Sequence, residues 1–321
     1  MPIGAVVFFV LFFFLNIATP HTPVLAGLKA IDWAGSVFIV GGALMILLGL
    51  EFGDVVFPWS STTVICLIVF GVTVLGIFLF NEWKLAANPV IPLRLFSSMS
   101  TIAAYLVFTA NFYVFIGLAY YLPLYSQSVL GSNALVSGVH LLPLIVSCSL
   151  AAAFGGTFIQ KTGKYLPLMY AAEVLLVLGS GLFINLEFEQ NITKLVIFEI
   201  LAGIGVGLNI EAPILAAQAA TTVKDTAAVI ATMGFVRSIG TAISIVVSGV
   251  IFQNEMNAAN PDLVEQLGPE TAGHFNGDQA SANVELIGTF PPEEQAIIRS
   301  AYFDSMRTVW IMVRANLTPE P

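Results

Sequence analysis

Long apolar stretches alternate with short polar gaps along this chain. A helix needs roughly 20 apolar residues to cross about 30 Å of hydrocarbon, and eight stretches approach that length. We therefore predict an all-α fold, a polytopic transmembrane helix bundle of about eight spans. The predicted spans are 2–19, 34–50, 62–80, 101–122, 136–158, 166–186, 195–217 and 227–252.

The charges in the gaps predict an orientation. Every second gap carries Lys or Arg, and the positive-inside rule places such gaps in the cytoplasm. The intervening gaps are neutral or mainly acidic, with Glu51 and Asp54 in one and Glu187, Glu189 and Lys194 in another. The residues predicted to be cytoplasmic are Lys29, Lys84, Arg94, Lys161, Lys164 and Lys224.

Composition supports a membrane protein and excludes one partner. The chain has 321 residues, is 57% hydrophobic and 10% charged, and has a net charge of −9. The acidity is concentrated in 253–298, which contains no Lys or Arg. No basic patch is therefore available for nucleic acid. We predict that 253–301 is an acidic extracellular surface loop, with at most short helices.

The last residues, 302–321, predict the start of a further span. The apolar part, Tyr302–Val313, would rise only about 18 Å, which is too short to cross a bilayer. By the orientation above, Met1 would begin on the outer face. We therefore expect a chain truncated at both ends, in which 1–19 is the tail of an earlier helical half.

The sequence supports neither an enzyme active site nor a metal site. Cys66 and Cys148 lie within apolar spans, where cysteine behaves as a small hydrophobic residue. His21, His140 and His274 are far apart in sequence, so no metal-ligand cluster is predicted. We also find no paired carboxylates and no nucleophile–base arrangement, and we predict that the chain is not an enzyme and binds no metal or organic cofactor.

Three glycines, Gly203, Gly205 and Gly207, superficially resemble a nucleotide-binding loop. That motif needs a strand before it and a helix that begins at it, whereas these glycines lie within a continuous apolar run. Small residues in a transmembrane helix let neighbouring helices approach closely. We therefore assign them to helix packing.

One gap carries a more specific pattern. Gly156, Gly163 and Lys164 match the loop G-x-x-x-D-x-x-G-[RK] of the major facilitator superfamily, with Gln160 at the usual Asp position and Lys161 beside it. The chain resembles that superfamily and, within it, the fungal 14-span drug:proton antiporters that include toxin and multidrug efflux pumps. Other segments similar to that family are 1–4, 120–127, 137–143, 201–207, 217–219 and 235–240.

The resemblance implies a domain order. Residues 20–100 would hold two linker spans with their cytoplasmic loops, and 101–252 would be an incomplete C-terminal transporter half. The first five spans of the family would be absent. With only part of the family's fold, this chain would require a complementary N-terminal half as partner, and the lipid bilayer would surround both.

The resemblance also implies a function. We expect a fragment of a proton-coupled secondary transporter that exports small amphipathic compounds by alternating access, with the proton gradient as driving force and no cofactor. The family indicates the plasma membrane, with the vacuolar membrane as the alternative. A second hypothesis is a non-transporting product: a pseudogene, a wrongly spliced gene, or a regulatory half that needs a partner chain.

Ionisable residues inside spans usually face a cavity or a partner. Glu173, Glu199, Glu211, Arg237 and His140 qualify by position. We hypothesise an Arg237–Glu211 pair, with separate water-filled niches as the alternative. The other residues predicted for the substrate pathway, of which Tyr120 and Tyr121 fit an interfacial aromatic belt equally well, are Asn111, Tyr113, Tyr120, Tyr121 and Gln127.

Overall fold

The structure, a computed structural model, describes residues 31–53, 56–86, 89–186, 188 and 191–315, together with Phe9 and Phe13. The described residues form α-helices and short 3-10 helices, with no strand among them. The predicted span 2–19 lies outside the described residues, apart from those two phenylalanines. The α-helices are α1 (Trp33–Phe52), α2 (Thr62–Lys84), α3 (Met99–Ser128), α4 (Ala134–His140), α5 (Leu142–Thr162), α6 (Leu166–Leu182), α7 (Ile192–Ala219), α8 (Thr226–Leu267), α9 (Pro269–Gly273), α10 (Gly277–Ala282) and α11 (Pro292–Ala315).

Seven helical segments in the described part of the chain are long and apolar enough to cross a membrane. They coincide with the seven predicted spans after 2–19, which confirms the all-α, polytopic transmembrane fold. One of these segments, Ala134–Thr162, consists of α4 and α5 together. The break between them lies at Leu141, just before Pro143, whose ring lacks the N–H that a continuous helix would use.

The helices form one bundle with a hairpin at its side. Helix α7 packs against α3, α5 and α6, while α8 packs against α3 and α11. Helices α1 and α2 pack on each other, and α1 also contacts α8. Exposed apolar side chains follow one face of α1, as expected for a helix that contacts lipid: Val37, Val40, Leu44 and Leu48.

The bundle has two chemically different ends. The basic end carries Arg94, Lys161 and Lys164, and the acidic end carries Glu51 and Glu270. The structure brings separate gaps together at each end, in the way that the alternation of charge predicts.

A polar cluster joins α1 and α2 at the basic end. The Asp32 carboxylate accepts from the Gly35 backbone at the start of α1 (2.8 Å) and from the Asn81 amide of α2 (2.8 Å). The buried Glu82 carboxylate accepts from the backbone N–H groups of Val90 (3.1 Å) and Ile91 (3.2 Å). The chain is thus held in place where it leaves α2.

The acidic segment 253–301 differs from the predicted surface loop. Helix α8 continues to Leu267, so its 42 residues extend about 63 Å, well beyond the hydrocarbon. The residues after it are folded against the bundle, because scattered apolar side chains reach the core between the acidic ones. The buried ones are Ala272, Phe275, Ala280, Val284 and Ile287. The average composition of the segment hides these few apolar residues, and it therefore predicts a loop.

The last described helix also differs from its prediction. Helix α11 begins at Pro292, ten positions before the predicted start, and its 24 residues extend about 36 Å. Tyr302, Met306 and Trp310 on this helix are almost completely buried. The Trp310 ring lies 5.4 Å from the ring of Tyr125 on α3. Helix α11 is therefore an integral part of the bundle core.

Candidate functional site

Helix α3 carries five of the predicted pathway residues, and the structure separates them. Asn111 is fully buried, and its amide donates to the backbone carbonyls of Val206 (3.2 Å) and Asn209 (3.5 Å) on α7. Asn209 in turn donates to the Glu173 carboxylate on α6 (2.8 Å). Asn111 therefore contributes to a polar contact among three helices, and it does not face an open cavity.

Tyr113 is also a packing residue. Its hydroxyl donates to the Met312 sulfur on α11 (3.0 Å), and its backbone carbonyl accepts from Ser244 on α8 (2.6 Å). The side chain is 8% exposed. Both contacts place it between α8 and α11 in the bundle core.

Tyr120 and Tyr121 lie beside a small cavity at the acidic end. The cavity has a volume of about 120 Å³. The rest of its lining includes Glu51 of α1, Gly249 and Gln253 of α8, and Ser281 of α10. Tyr121 is 2% exposed and Tyr120 is 53% exposed, so one ring forms the inner wall and the other the rim. This cavity lies where α1 meets α3 and α8.

Gln127 lines a second cavity at the acidic end, of about 260 Å³, together with Arg299. The Gln127 amide donates to Ser137 (3.4 Å). The Arg299 guanidinium donates to the Val129 carbonyl at the end of α3 (3.3 Å) and to Gln295 (2.9 Å). Arg299 thus fastens α11 to the end of α3, where Gly131 with φ +68° leaves room for it.

The hypothesised Arg237–Glu211 pair is not formed. Among the side chains that the structure describes, the ion pair within 4.0 Å joins Arg94 to Asp225, at the basic end. The Arg237 guanidinium instead lies over the Phe112 ring, 5.4 Å from its centroid. Arg237 and Glu211 are both exposed. A cation on an aromatic face gains attraction without a carboxylate, which explains how Arg237 is accommodated.

A larger cavity lies away from the residues predicted for the substrate pathway. It has a volume of about 540 Å³, and its walls are apolar residues of α5 and α7, whereas the predicted pathway residues lie mainly on α3 and α8. Its volume falls within the range typical of small-molecule sites, about 300–1,000 Å³. The side chains that form most of its wall are Val146, Leu150, Phe154, Ile200, Ile204 and Leu208.

Glu199 lies on α7 near this cavity and is fully buried. Neither carboxyl oxygen forms a hydrogen bond with good geometry in the described part of the chain. The Leu144 backbone, in the first turn of α5, is the group that interacts with it. A buried carboxyl group with so little hydrogen bonding is costly to the fold.

The predicted gating loop lies between α5 and α6 at the basic end. Gly163 ends α5 with φ 67°, and its N–H donates to the Ile159 carbonyl (2.8 Å). A left-handed residue at this position is the usual glycine end of a helix. Gln160, Lys161 and Lys164 are exposed, and Gly156 has open space where a side chain would begin.

The three glycines of α7 lie at close helix contacts. A Cβ on Gly205 would lie 2.5 Å from the Leu176 backbone nitrogen of α6. A Cβ on Gly203 would lie 2.6 Å from the Leu144 carbonyl of α5, and one on Gly207 would overlap the Cys148 carbonyl. These positions are occupied by glycine because the backbones of α5, α6 and α7 nearly touch.

Several residues with a place in these sites were missed in the sequence. Glu51, Gln253 and Arg299 line the two cavities at the acidic end, and no local pattern marked any of them. They come together only because α1 packs on α8 and because α11 begins early. Among the described residues, no group of three or more His, Cys, Asp or Glu side chains lies close enough to hold a metal ion.

Known proteins resemble this chain along nearly all of its length. An efflux pump of Dothistroma septosporum, dotC, is 45% identical over 98% of the chain, which covers 54% of that pump. The MFS-type transporter ppz2 of Metarhizium majus is 40% identical over 98% of the chain and 54% of its own length. An MFS-type transporter of Aspergillus terreus is 34% identical over 98% of the chain and 58% of its own length.

No family model matches the chain. The chain spans about half the length of the curated relatives it matches. The sequence resemblance, the membrane-spanning helices and these relatives agree with one another. The chain is a multi-pass membrane protein, and along 98% of its length it is similar to about half the length of proteins named efflux pump and MFS-type transporter.

Proposed function

We propose that this chain forms part of a secondary transporter that exports small amphipathic compounds. The observation that carries the proposal is its similarity, over 98% of its length, to proteins named efflux pump and MFS-type transporter. Transport, and not catalysis, is the activity that we assign to it. Because the chain spans about half of these relatives, the complete pathway would need the remaining part of such a protein as partner.

The packing of the bundle supports a mechanism of alternating access. Helices α5, α6 and α7 are in backbone contact through Gly203, Gly205 and Gly207, so they would move as one rigid body. In transporters of this kind, one such body rocks against another around a central site. The apolar cavity between α5 and α7 would then contribute one wall of the site for the apolar part of a substrate.

The exposed charges supply the polar part of the proposed pathway. Arg237 and Glu211 are exposed on α8 and α7, within segments that otherwise cross the hydrocarbon. Ionisable side chains at such depth normally face a cavity or another protein surface. We propose that both face the pathway between the two bodies, with a proton gradient as the driving force. The plasma membrane is the proposed location, with the vacuolar membrane as the alternative.

A chimaera tests this proposal. The matching segment of the Dothistroma septosporum pump is replaced by this chain, and the chimaera is expressed in yeast cells that lack their own exporters. We expect it to lower the accumulation of a fluorescent amphipathic dye, and a protonophore to abolish the effect. The intact pump is the positive control for the dye.

Dye accumulation is also measured in cells that express this chain alone, because the second hypothesis is that the chain does not transport. The proposal would be contradicted if the chimaera reached the membrane at the level of the intact pump while its cells accumulated as much dye as cells that express no exporter. In the chimaera, Glu211→Gln keeps nearly the same side-chain shape and removes the charge. It should retain membrane level and lose export if Glu211 lies on the pathway.

A further inference from the structure

Two carboxyl groups face each other at the basic end, where α1 begins and α2 ends. Glu82 of α2 is 6% exposed, and its carboxyl group lies in hydrogen-bonding contact with that of Asp32, which caps the start of α1. Gly35 leaves room for both, because a Cβ there would overlap the Asp32 carboxylate and lie 2.9 Å from Glu82 Oε1. Ionised carboxylates only accept hydrogen bonds, so this contact is a hydrogen bond only when one of the two groups carries a proton.

The described cations near this pair are engaged elsewhere. Among the side chains that the structure describes, the ion pair within 4.0 Å involves neither Asp32 nor Glu82. The cations on α2, on the segment before α3 and on α8 have other partners: Lys84 lies over the Trp83 ring, Arg94 pairs with Asp225, and Arg237 lies over the Phe112 ring. Glu51, the other carboxylate on α1, lies at the acidic end. Lys29 lies outside the described residues, and a variant of it therefore enters the test.

A single carboxyl group fastens the chain that leads from α2 to α3. The backbone N–H groups of Val90 and Ile91 donate to the Glu82 carboxylate, at 3.1 Å and 3.2 Å. Pro89 and Pro92 flank these two residues and have no N–H. Every backbone donor of the segment 89–92 is therefore bound to Glu82.

This segment in turn closes the hairpin of α1 and α2 against the bundle. Ile91 packs with Ile39 of α1 and Phe78 of α2, and Phe235 of α8 packs against the same cluster. These four residues also line a cavity of about 230 Å³ between the hairpin and α8. The hydrogen bonds to Glu82 thus hold Ile91 at the point where α1, α2 and α8 meet.

We propose that Asp32 and Glu82 share one proton and act as a pH-sensitive latch between the α1–α2 hairpin and α8. The shared proton makes their contact a hydrogen bond, whereas its loss leaves two negative charges in a largely buried site. The two groups relieve this repulsion by moving apart, and Glu82 then loosens its hold on Val90 and Ile91. A rise in pH at the basic end therefore releases the segment 89–92. The proposal concerns conformation and requires no transport, so it can fail while the chimaera still exports.

Hydrogen–deuterium exchange measures the latch directly, because Val90 and Ile91 carry the only amide hydrogens of 89–92. The purified full chain in nanodiscs is compared with Asp32→Asn at mildly acidic, neutral and mildly alkaline pH. Asp32→Asn supplies an amide hydrogen to Glu82 at every pH and keeps a favoured first residue for α1. Both chains are measured at the same pH, so the intrinsic pH dependence of exchange cancels.

We expect the two amides to exchange equally in both chains at mildly acidic pH. At mildly alkaline pH they should exchange about tenfold or more faster in the unmodified chain than in Asp32→Asn. Thermal unfolding provides a second readout. Because the folded chain binds a proton that the unfolded chain releases, the unmodified chain should lose roughly 2–4 °C relative to Asp32→Asn as the pH rises.

Three further variants provide the controls. Glu82→Leu has no acceptor for either amide, so both should exchange rapidly at every pH. Glu270→Gln removes a carboxylate at the acidic end, and it should exchange as the unmodified chain does. Lys29→Gln should also exchange as the unmodified chain does at neutral pH.

Equal exchange in the unmodified chain and in Asp32→Asn at every pH would overturn the proposal. So would slow exchange in Glu82→Leu, because the carboxyl group would then not hold the segment. A difference in unfolding temperature that does not change with pH would contradict the shared proton. Faster exchange in Lys29→Gln than in the unmodified chain at neutral pH would also overturn the proposal, since a lysine and not a proton would then neutralise the pair.

Discussion

Arg94 and Asp225 form an ion pair of 2.6 Å that joins two gaps 131 positions apart in sequence. Arg94 lies in the 3-10 helix Leu93–Ser97 before α3, and Asp225 ends the turn between α7 and α8. The charges of both gaps predict a cytoplasmic location. Their direct contact places them at the same end of the bundle, as that orientation requires.

The ion pair predicts a pH dependence of stability. Hydrogen bonds from Arg94 and Thr222 hold the pKa of Asp225 below its usual value. A carboxylate with a lowered pKa in the folded state stabilises the fold above its unfolded pKa, and loses that effect as the pH falls through the folded pKa. Arg94→Gln should therefore lower thermal stability slightly at neutral pH.

The difference between Arg94→Gln and the unmodified chain should disappear in acid and shrink in high salt, since the Arg94 side chain is 68% exposed. Thermal unfolding in detergent at several pH values measures it. A difference that persists at a pH where Asp225 is fully protonated would contradict the ion-pair explanation.

The glycines of α7 predict an asymmetry between two identical substitutions. Gly205→Ala should destabilise the chain by about 1–3 kcal/mol, because the new methyl group would overlap the α6 backbone. Gly156→Ala on α5 has open space and should stabilise its helix by up to about 1 kcal/mol. Unfolding in a denaturing detergent series compares the two. Equal effects would contradict the close approach of α6 and α7.

Two carboxyl groups within the bundle, Glu199 and Glu173, should respond in opposite ways to replacement by leucine. Glu199 lacks a well-formed hydrogen bond, so Glu199→Leu should be neutral or stabilising, by about 1 kcal/mol or more. Glu173 accepts from the buried Asn209, so Glu173→Leu leaves that amide without a partner and should cost about 1–3 kcal/mol. Thermal unfolding of both variants is the measurement. A strongly destabilised Glu199→Leu would reveal a partner that the structure does not provide.

Tyr302 links α11 to the folded acidic segment. Its hydroxyl donates to the Ala280 carbonyl (2.5 Å) in a fully buried position. Tyr302→Phe keeps the ring and leaves that carbonyl unsatisfied, so it should cost about 1–3 kcal/mol and speed proteolysis within 268–291. Tyr170→Phe, at an exposed ring, is the control and should change neither quantity. Equal proteolysis of both variants would show that the segment does not depend on this contact.

The sequence predicted the spans well because each must satisfy one strong physical requirement, a long apolar helix. It predicted the sites poorly, because side-chain partners depend on which helices touch. Asn111 was assigned to a cavity and is buried against α7, and Arg237 was paired with Glu211 and lies on Phe112. The folded segment after α8 was missed because its few apolar residues, such as Phe275, are scattered among acidic ones.

We infer that this bundle crosses a membrane with its basic end in the cytoplasm. Single cysteines at Lys164 and Glu270, in a chain whose Cys66 and Cys148 are replaced by alanine, test it with a membrane-impermeant thiol reagent. We expect Glu270→Cys to react in intact cells and Lys164→Cys to react only after permeabilisation. Reaction of both cysteines under the same condition would contradict this orientation.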